Sequence, residues 1–259
     1  MSIELQNITF QYGKKTPLVL GGINLKIKDG TINVLLGLNG CGKTTLIKTM
    51  AGLLKANKGE VIYDGKMLKN ISIHDRSLIF SYVAQKTMGI DDIIVGDYLT
   101  YGMTNSMKFY QSPSDAHYQK AKELSSNMGI DKLLPKRLGE ISGGERQVVC
   151  LCSALLQNTR IILLDEPLSA LDLRNQALVL STLKSIAKKE GKTLILSDHN
   201  PNHALFLECK VALMKAGKIV EYGDAKDIVT IPKLKPIYGD KLKLSKELPY
   251  DEISISEQV

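Results

Sequence analysis

The sequence predicts an α/β fold with a parallel β-sheet at its centre, and three observations support that prediction. The segments at 32–36, 161–164 and 193–197 are continuously apolar, which is typical of parallel strands buried on both faces. Apolar residues recur at helical spacing after these strands. A glycine-rich loop at 37–45 follows the first strand. Because strands and helices alternate along the chain, we expect helices to cover a parallel sheet.

The N-terminal part is predicted to form an antiparallel sheet. Segments 3–10 and 23–28 have the pattern of strands, and apolar and polar residues alternate in the second of them. Segments 60–64 and 66–68 flank an Asp-Gly pair, which signals a hairpin turn.

A helical insertion is predicted to interrupt the main sheet. Residues 86–140 contain no convincing strand, several glycines and helical patches such as Asp115–Met128. Together with the helix that follows, they indicate an α-helical subdomain at about 86–155, inside a main domain that covers 1–229. Residues 230–259 carry three prolines and mixed charges, which indicate a C-terminal tail or small extension.

Length and composition are those of an ordinary soluble globular protein. The 259 residues approach the upper limit for one domain, and 44% of them are hydrophobic and 24% charged. The net charge of +7 fits nucleic acid, an anionic membrane surface or an anionic ligand. Nucleic acid is disfavoured, because no Lys/Arg block resembles a binding arm and aromatic residues make up only 5%.

The four cysteines, Cys41, Cys150, Cys152 and Cys209, follow neither a metal-binding spacing nor the pattern of a secreted disulfide framework. We therefore expect reduced thiols and a cytosolic protein. The first residues lack the basic and apolar regions of a signal peptide. No apolar run approaches the roughly 20 residues that span a bilayer, so another chain would cross any membrane that this protein serves.

The segment GLNGCGKTT at 37–45 matches the phosphate-loop pattern G-x-x-x-x-G-K-[ST] between a buried strand and a helix, the context that the pattern requires. Its glycines let backbone N–H groups face a polyphosphate, and the helix N-terminus adds partial positive charge. Lys43 would neutralise the β- and γ-phosphates, and the Thr44 hydroxyl would ligate Mg²⁺. The residues expected to contact ATP are Gly37, Asn39, Gly40, Cys41, Gly42, Lys43, Thr44 and Thr45.

Cys41 lies inside this loop and has two interpretations. The first is a variable position with no special chemistry. The second is a reactive thiol, because the helix N-terminus and Lys43 would lower its pKa. The second interpretation predicts that a thiol alkylator inactivates the protein and that ATP protects it.

Two adjacent carboxylates, Asp165 and Glu166, end the apolar strand at 161–164. The carboxyl edge of a parallel sheet is where ligands bind, so Asp165 would hold Mg²⁺, directly or through water. Glu166 would polarise the attacking water as a general base. The structural alternative is an acidic pair that starts a turn before Pro167.

Residues ISGGERQ at 141–147 open a second predicted helix. Ser142 and Glu145 have the spacing of a capping box, which accounts for an N-cap but not for two consecutive glycines. Close approach of the backbone to a phosphate would explain the second glycine, because it leaves no room for a side chain.

With these motifs in this order, the chain resembles the ATP-binding subunits of ABC transporters over about residues 1–225. ISGGERQ is similar to the signature motif of that family, usually written LSGGQ. The resemblance implies a phosphate-loop NTPase core of the RecA-like type, with an N-terminal antiparallel β subdomain and an inserted α-helical subdomain. It also implies hydrolysis of ATP with Mg²⁺.

Four further positions match motifs of that family. Tyr12 resembles the aromatic residue that stacks on adenine, and Gln85 resembles the Q-loop glutamine that senses Mg²⁺ and contacts the transmembrane partner. SALD at 169–172 resembles the D-loop, and His199 resembles the switch histidine that contacts the γ-phosphate. The resemblance thus implies three catalytic residues, Glu166, His199 and Gln85. It implies three metal ligands, Thr44, Gln85 and Asp165. Asp165 is also expected among the residues that bind the nucleotide.

Each of these matches has an ordinary structural alternative when taken alone. Tyr12 would be a core aromatic at a strand end, and Gln85 a surface amide. Asp172 would be the N-cap of a helix at 173–188. His199 would be a loop histidine.

The resemblance implies two copies, or two related chains, that close head to tail over two ATP molecules. Each nucleotide would lie between one chain's phosphate loop and the other chain's signature. The residues expected to act on the partner's nucleotide are Ser142, Gly143, Gly144, Glu145 and Asp172. The other implied partners are integral-membrane permease subunits and, through them, an extracytoplasmic substrate-binding protein, which would place the chain at the cytoplasmic face of the cell membrane.

The chain departs from the family pattern around the signature. Ile141 replaces the usual Leu, and Glu145 replaces the usual Gln while keeping the reach of a capping box. Val148 and Ser153 stand where many relatives carry arginine, which would change what this helix contacts.

The predicted cargo is an iron chelate, a corrinoid or a similar metal-containing substrate. SDHNPNHAL at 197–205 is similar to the switch region of importers for such substrates, and IYGD at 237–240 resembles the end of that subgroup. The alternatives are an importer with another cargo, and an ABC ATPase that works in repair, translation or cluster assembly. The sequence has neither the long coiled coil of repair members nor the two cassettes of translation factors. A regulator without turnover is the third class, against which Glu166 and His199 argue.

Overall fold

The computed structural model describes residues 2–85, 89–107 and 112–239, whose strands form two sheets. The strands are β1 (Ser2–Phe10), β2 (Leu20–Lys28), β3 (Ile32–Leu36), β4 (Lys58–Tyr63), β5 (Lys66–Met67), β6 (Phe80–Val83), β7 (Ile161–Asp165), β8 (Thr193–Asp198), β9 (Lys210–Lys215) and β10 (Lys218–Asp224). The helices are α1 (Lys43–Met50), α2 (Ile73–Ile79), α3 (Val95–Tyr101), α4 (Asp115–Asn127), α5 (Gly143–Leu156), α6 (Leu173–Glu190), α7 (Pro201–Phe206), α8 (Ala225–Ile228) and α9 (Ile231–Tyr238). Short 3₁₀ turns lie at Leu68–Asn70, Thr104–Ser106, Asp131–Leu133 and Leu138–Glu140.

The N-terminal sheet has the strand order β2-β1-β4-β5, and its pairs are antiparallel, as predicted. The turn between β4 and β5 contains Asp64 and Gly65 with φ of 49° and 78°. Two positive φ values in succession suit a tight hairpin, and an Asp-Gly pair tolerates them.

The larger sheet has the order β10-β9-β3-β8-β7-β6, and its strands are parallel except for β10. The predicted parallel strands at 32–36, 161–164 and 193–197 are confirmed. The edge strand β6 and the β9–β10 hairpin were not predicted from the sequence.

The carboxyl ends of the three central strands lie side by side. Leu36 of β3 pairs with Asp198 of β8, and Asp165 of β7 pairs with Ser197 of β8. The residues that follow these positions therefore meet at one edge of the sheet.

The central strands supply two hydrophobic cores, one on each face of the sheet. On β3, Val34 and Leu36 belong to one core and Leu35 to the other. On β7, Leu163 and Leu164 divide in the same way. Burial on both faces explains why these strands are mostly apolar.

The predicted helical insertion is present as α3, α4 and α5. The predicted patch Asp115–Met128 corresponds to α4, and α3 packs against both α4 and α5. A β-bridge between Ile94 and Arg137 ties the beginning of the insertion to the segment that leads into α5. Residues 86–88, at the predicted start of the insertion, lie outside the described residues.

The C-terminal helix α9 packs against the main body. Its Leu234 and Ile237 are buried in the same core as Val34 and Leu36 of β3. Residues 240–259 of the predicted tail, which include the end of the IYGD segment, lie outside the described residues.

Candidate active site

The phosphate loop connects β3 to α1 and depends on glycine at two positions for different reasons. A Cβ atom at Gly37 would lie 2.5 Å from the carbonyl oxygen of Met214, so β9 leaves room only for a hydrogen there. Gly42 has a φ of 105°, which glycine adopts at the lowest cost. Because Gly42 is the N-cap and has no side chain, it leaves the first N–H groups of α1 to another acceptor.

Lys43 is buried beneath the loop, with 3% of its surface exposed. Its Nζ donates to the carbonyl oxygens of Gly37 at 2.8 Å and Leu38 at 3.2 Å. It also lies 3.7 Å from Oε1 of Glu166. These partners offset the burial of an ammonium group and hold it where anionic oxygens could replace the two carbonyls.

Asp165 is held by hydroxyl groups from two other elements. Oγ1 of Thr44 and Oγ of Ser197 each donate to Oδ1 of Asp165 at 2.8 Å. Asp165 is 1% exposed, and its Oδ2 has no hydrogen-bond partner among the described residues. A buried carboxylate oxygen without a partner is costly, and Mg²⁺ binds carboxylate and hydroxyl oxygens. The Thr44–Asp165 pair therefore fits a Mg²⁺ site.

Glu166 is positioned by strained backbone and by hydrogen bonds with two neighbours. Its φ is 48°, a conformation that is uncommon outside glycine and costs about 1–3 kcal/mol. The N–H of Glu166 donates to Oγ of Ser197 at 2.8 Å. Nε2 of Gln85 donates to Oε2 of Glu166 at 2.6 Å. Gln85 is exposed, as the alternative of a surface amide predicted, and its amide is bonded to Glu166.

The loop, Gln85 and Glu166 line one cavity of about 450 Å³. Its walls are formed by Tyr12, Val19, Asn39, Gly40, Gly42, Lys43, Thr44, Thr45, Gln85 and Glu166. Nine of these ten were sequence-predicted site residues, and Val19 was not. A Cβ atom at Gly40 would meet no atom of the described residues within 4 Å, so the loop is open on this side.

Tyr12 stands at the mouth of this cavity. Its ring is 64% exposed, makes an edge-on contact with Phe10 at 4.9 Å, and its hydroxyl lies 3.2 Å from Oγ1 of Thr45. The alternative of a core aromatic is wrong, since most of the side chain is open to solvent. One face of the ring is therefore available to a planar group beside the phosphate loop.

The predicted reactivity of Cys41 is wrong. The Cys41 side chain turns into the core beneath the loop and is only 8% exposed. Burial raises the pKa of the Cys41 thiol and outweighs the opposite effect of Lys43. Cys41 belongs to the phosphate loop through its backbone, and its thiol packs as a small apolar group.

His199 lies beside the cavity and not in its lining. The backbone carbonyl of Asp198 accepts a hydrogen bond from the N–H of Gly37 at 3.4 Å, which places the end of β8 next to the phosphate loop. The His199 side chain is 54% exposed. The structure thus brings His199 to the correct edge of the sheet and leaves its imidazole in solvent.

Hydrogen bonds around Asp198 fix the loop that carries His199. Oδ1 of Asp198 accepts the N–H groups of His199 at 2.6 Å and Asn200 at 2.9 Å. Oδ2 lies 2.7 Å from Nδ1 of the buried His203. Sequence reasoning missed both Asp198 and His203, although the acidic residue at the strand end in SDHN was a usable signal.

The signature begins α5 with the predicted capping box. The N–H of Ser142 donates to Oε2 of Glu145 at 2.8 Å, and the N–H of Glu145 donates to Oγ of Ser142 at 3.3 Å. The Ser142 N–H group lowers the pKa of the Glu145 carboxyl. The carboxylate that replaces the usual Gln is therefore engaged in capping.

The two signature glycines face different surroundings. A Cβ atom at Gly143 would meet no described atom within 4 Å, whereas one at Gly144 would lie 3.0 Å from the carbonyl oxygen of Ala170. The second glycine thus has a reason within its own chain, the close approach of the 169–172 segment. Ser142 and Gly143 remain exposed.

Asp172 is the N-cap of α6, as the structural alternative predicted. Its Oδ1 accepts the N–H of Asn175 at 2.8 Å. The side chain is exposed, so the capping role leaves Asp172 accessible to another chain.

The nucleotide-sized cavity, its buried lysine and the strand-end carboxylates define a phosphate-loop NTPase. A sequence model of the ABC transporter family matches residues 20–169, which contain the loop, both carboxylates and the signature. The chain belongs to this family and is an ABC ATPase of a transporter. Each helix within the described residues is too short or too polar to span a bilayer.

Three curated relatives show how similar the chain is to known members. An "Uncharacterized ABC transporter ATP-binding protein" of Haemophilus influenzae is 32% identical over 92% of this chain and 89% of that protein. The spermidine/putrescine import ATP-binding protein PotA of Borrelia garinii subsp. bavariensis is 33% identical over 90% of this chain and 65% of PotA. A "Probable iron chelatin transport ATP-binding protein" of Helicobacter pylori is 29% identical over 94% of this chain and 95% of that protein.

Two solved structures share the fold closely. A "putative metal-chelate type ABC transporter" in an inward-facing conformation superposes with a TM-score of 0.77 and 26% identity, covering 92% of this chain and 88% of that one. The ATP-binding cassette MJ0796, in a dimeric post-hydrolysis state bound to ADP and Pi, superposes with a TM-score of 0.78 and 25% identity, covering 86% of this chain and 98% of that one.

Proposed function

We propose that this ABC ATPase powers the import of a metal chelate, with two copies closing over two ATP molecules at the cytoplasmic face of a membrane. The observation that carries the catalytic part is the convergence of Lys43, Gln85 and Glu166 on one cavity beside the Thr44–Asp165 pair. Mg²⁺ would be held by Thr44 and Asp165, with Gln85 near it, and would neutralise phosphate charge.

The phosphates bind where loop N–H groups and Lys43 converge. Nζ of Lys43 exchanges the carbonyls of Gly37 and Leu38 for phosphate oxygens, which are stronger acceptors because they carry charge. The adenine stacks on the exposed ring of Tyr12.

Glu166 is the general base. Gln85 and Lys43 both contact its carboxylate, which orients the two oxygens towards the cavity. A water bound between the γ-phosphate and Glu166 gives its proton to the carboxylate as its oxygen attacks the γ-phosphorus, and the bond from that phosphorus to the leaving ADP breaks. His199 contacts the γ-phosphate once the cavity is closed.

The second half of each site comes from the partner copy. Ser142 and Gly143 present an exposed helix start with positive partial charge, and Asp172 is exposed nearby in the D-loop, whose Ala170 touches Gly144. ATP bridges this surface to the partner's phosphate loop better than ADP does, because the γ-phosphate supplies the bridging oxygens.

Transport requires permease subunits and, on the other side of the membrane, a substrate-binding protein. The H. pylori relative and the inward-facing structure support a metal chelate as cargo, as do the 197–205 residues. The PotA relatives make polyamine import the competing assignment.

The catalytic proposal is tested with Glu166→Gln. We expect this variant to bind ATP normally, to lose about 10²-fold or more in turnover, and to form a stable dimer with ATP but not with ADP. Phosphate release and size-exclusion chromatography measure these properties. Glu123→Gln, on the exposed surface of α4, is the matched control and should behave as wild type. Normal turnover in Glu166→Gln would overturn the assignment of the base.

The cargo is tested by uptake in cells that lack this chain. Radiolabelled ferric siderophore, cobalamin and spermidine are supplied separately, with wild-type protein or Glu166→Gln restored from a plasmid. We expect loss of ferric siderophore or cobalamin uptake that only the wild type restores. Loss confined to spermidine uptake would replace the metal-chelate assignment by polyamine import.

A further inference from the structure

The C-terminal helix α9 contacts the loop that carries His199. Tyr238, its last residue, donates a hydrogen bond from its hydroxyl to the backbone carbonyl of His199 at 3.1 Å. Burial raises the pKa of Tyr238, so the phenol stays protonated and remains a donor at neutral pH. The contact joins positions 39 residues apart in sequence.

α9 is anchored well enough to act as a fixed support. Leu234 is fully buried and Ile237 is 8% exposed, both in the core that underlies the parallel sheet. Nζ of Lys215, at the end of β9, donates to the carbonyl of Pro236 at 3.0 Å. Tyr238 therefore projects from a helix that is tied to the sheet at two points.

The backbone of His199 is also held by a second residue, Asp198. Oδ1 of Asp198 accepts a hydrogen bond from the N–H of His199, and the Tyr238 hydroxyl donates one to the carbonyl of His199. Both peptide groups that flank His199 are therefore held. Nδ1 of the imidazole lies 4.0 Å from Oδ1 of Asp198, and the His199 side chain is 54% exposed. The held backbone sets the position and direction of the Cα–Cβ bond of His199, which limits where the imidazole can reach.

We propose that Tyr238 is a positioning residue for ATP hydrolysis, which fixes the backbone of His199 so that its imidazole can reach the γ-phosphate. The proposal rests on the role assigned above to His199. The segment 231–238, which was predicted from the sequence to begin a tail, would then help to position His199 for ATP hydrolysis.

The test is Tyr238→Phe, which removes only the hydroxyl. We expect kcat for ATP hydrolysis to fall about two- to tenfold, the range that one neutral hydrogen bond supports, while KM for ATP and the melting temperature stay at wild-type values. Tyr222→Phe is the matched control, because Tyr222 also donates from a partly buried hydroxyl, to Oδ1 of Asn33 at 2.8 Å, away from the cavity. We expect this control to keep wild-type kcat.

A double-mutant cycle separates this proposal from the role of His199. His199→Ala should lower kcat strongly, and adding Tyr238→Phe to it should cause no further loss. Full activity in His199→Ala would contradict the proposed function itself. A normal kcat in Tyr238→Phe, or an equal loss in both backgrounds, would overturn only the positioning role. If the melting temperature of Tyr238→Phe fell together with its kcat, Tyr238 would support the fold and would not be a positioning residue.

Discussion

Asp165 and Glu166 are neighbours in sequence but occupy different environments. Asp165 is buried and receives two hydroxyl hydrogen bonds on one oxygen, which suits a fixed metal ligand. Glu166 faces the cavity in a strained backbone conformation and is contacted by Lys43 and Gln85. The two neighbouring carboxylates therefore have different surroundings, which suits the two different roles proposed for them.

The environment of Cys41 gives a residue-scale prediction. Because burial raises its pKa, we expect the Cys41 thiol to be protonated at pH 7–8 and to react with iodoacetamide no faster than the other three buried cysteines. Mass spectrometry of peptides after timed labelling measures this. In denaturant all four should be modified at similar rates. Rapid native labelling of Cys41 that ATP prevents would instead restore the reactive thiol.

At this scale, the sequence was sufficient where a motif fixes both residue type and position. The phosphate loop, Gln85 and Glu166 were predicted and line one cavity, and the predicted Asp165 is bonded to Thr44 of its lining. Ser197 and Tyr238 were not, because their roles depend on contacts between distant segments, and a serine or tyrosine alone has no distinctive pattern. For Cys41 the sequence left two interpretations open, because it shows a neighbouring charge but not the direction of a side chain.

At the scale of elements, the signature helix α5 depends on close packing against α3. Ser153 occupies a position where many relatives carry arginine, and its backbone lies against Gly102 at the end of α3. Val148, the other departure, is 2% exposed in the core. These two residues therefore serve packing inside the helical subdomain.

The close packing of α3 against α5 leads to a prediction for Gly102→Ala. A Cβ atom at Gly102 would lie 2.4 Å from the carbonyl oxygen of Ser153, so the helices must move apart. We expect a loss of about 1–3 kcal/mol in the free energy of unfolding, measured by urea titration. Gly21→Ala is the control, because its nearest neighbour would be the flexible side chain of Lys218 at 3.5 Å. Equal stability of the two variants would contradict the predicted clash.

The burial of an element determined whether it could be predicted from the sequence. Central strands such as β3 are mostly apolar because both faces are covered, and this pattern made β3 predictable despite Asn33. The edge strand β6 contains Ser81 and Tyr82 and has only four residues, so it resembles a loop. In β10 most residues are exposed, which removes the apolar signal altogether.

At the scale of the whole molecule, the described chain holds half of each proposed site. Its phosphate loop opens onto a cavity, while its own signature is engaged with the D-loop at Gly144 and exposes Ser142 and Gly143 outwards. Two copies related head to tail would bring each exposed helix start to the other copy's loop. The MJ0796 cassette, which is similar in fold, is dimeric in its solved structure, and this supports a dimer of the present chain.

Mixed dimers test the arrangement directly. Lys43→Ala removes the phosphate contact of one site, and Ser142→Arg blocks the signature with bulk and positive charge. In a head-to-tail dimer that pairs these two variants, both defects fall on the same site, and the other site is intact. With Glu166→Gln in both chains to prevent hydrolysis, we expect about one retained ATP for each doubly tagged mixed dimer.

The homodimers provide the controls, because neither should retain ATP across the dimer. Monomeric Ser142→Arg should still bind ATP, since Ser142 lies outside the cavity of its own chain. If instead each site were built within one chain, the mixed dimer would carry one defect in each site and retain nothing. Nucleotide counting in the mixed dimer thus distinguishes a site shared between two copies from a site that each chain completes alone.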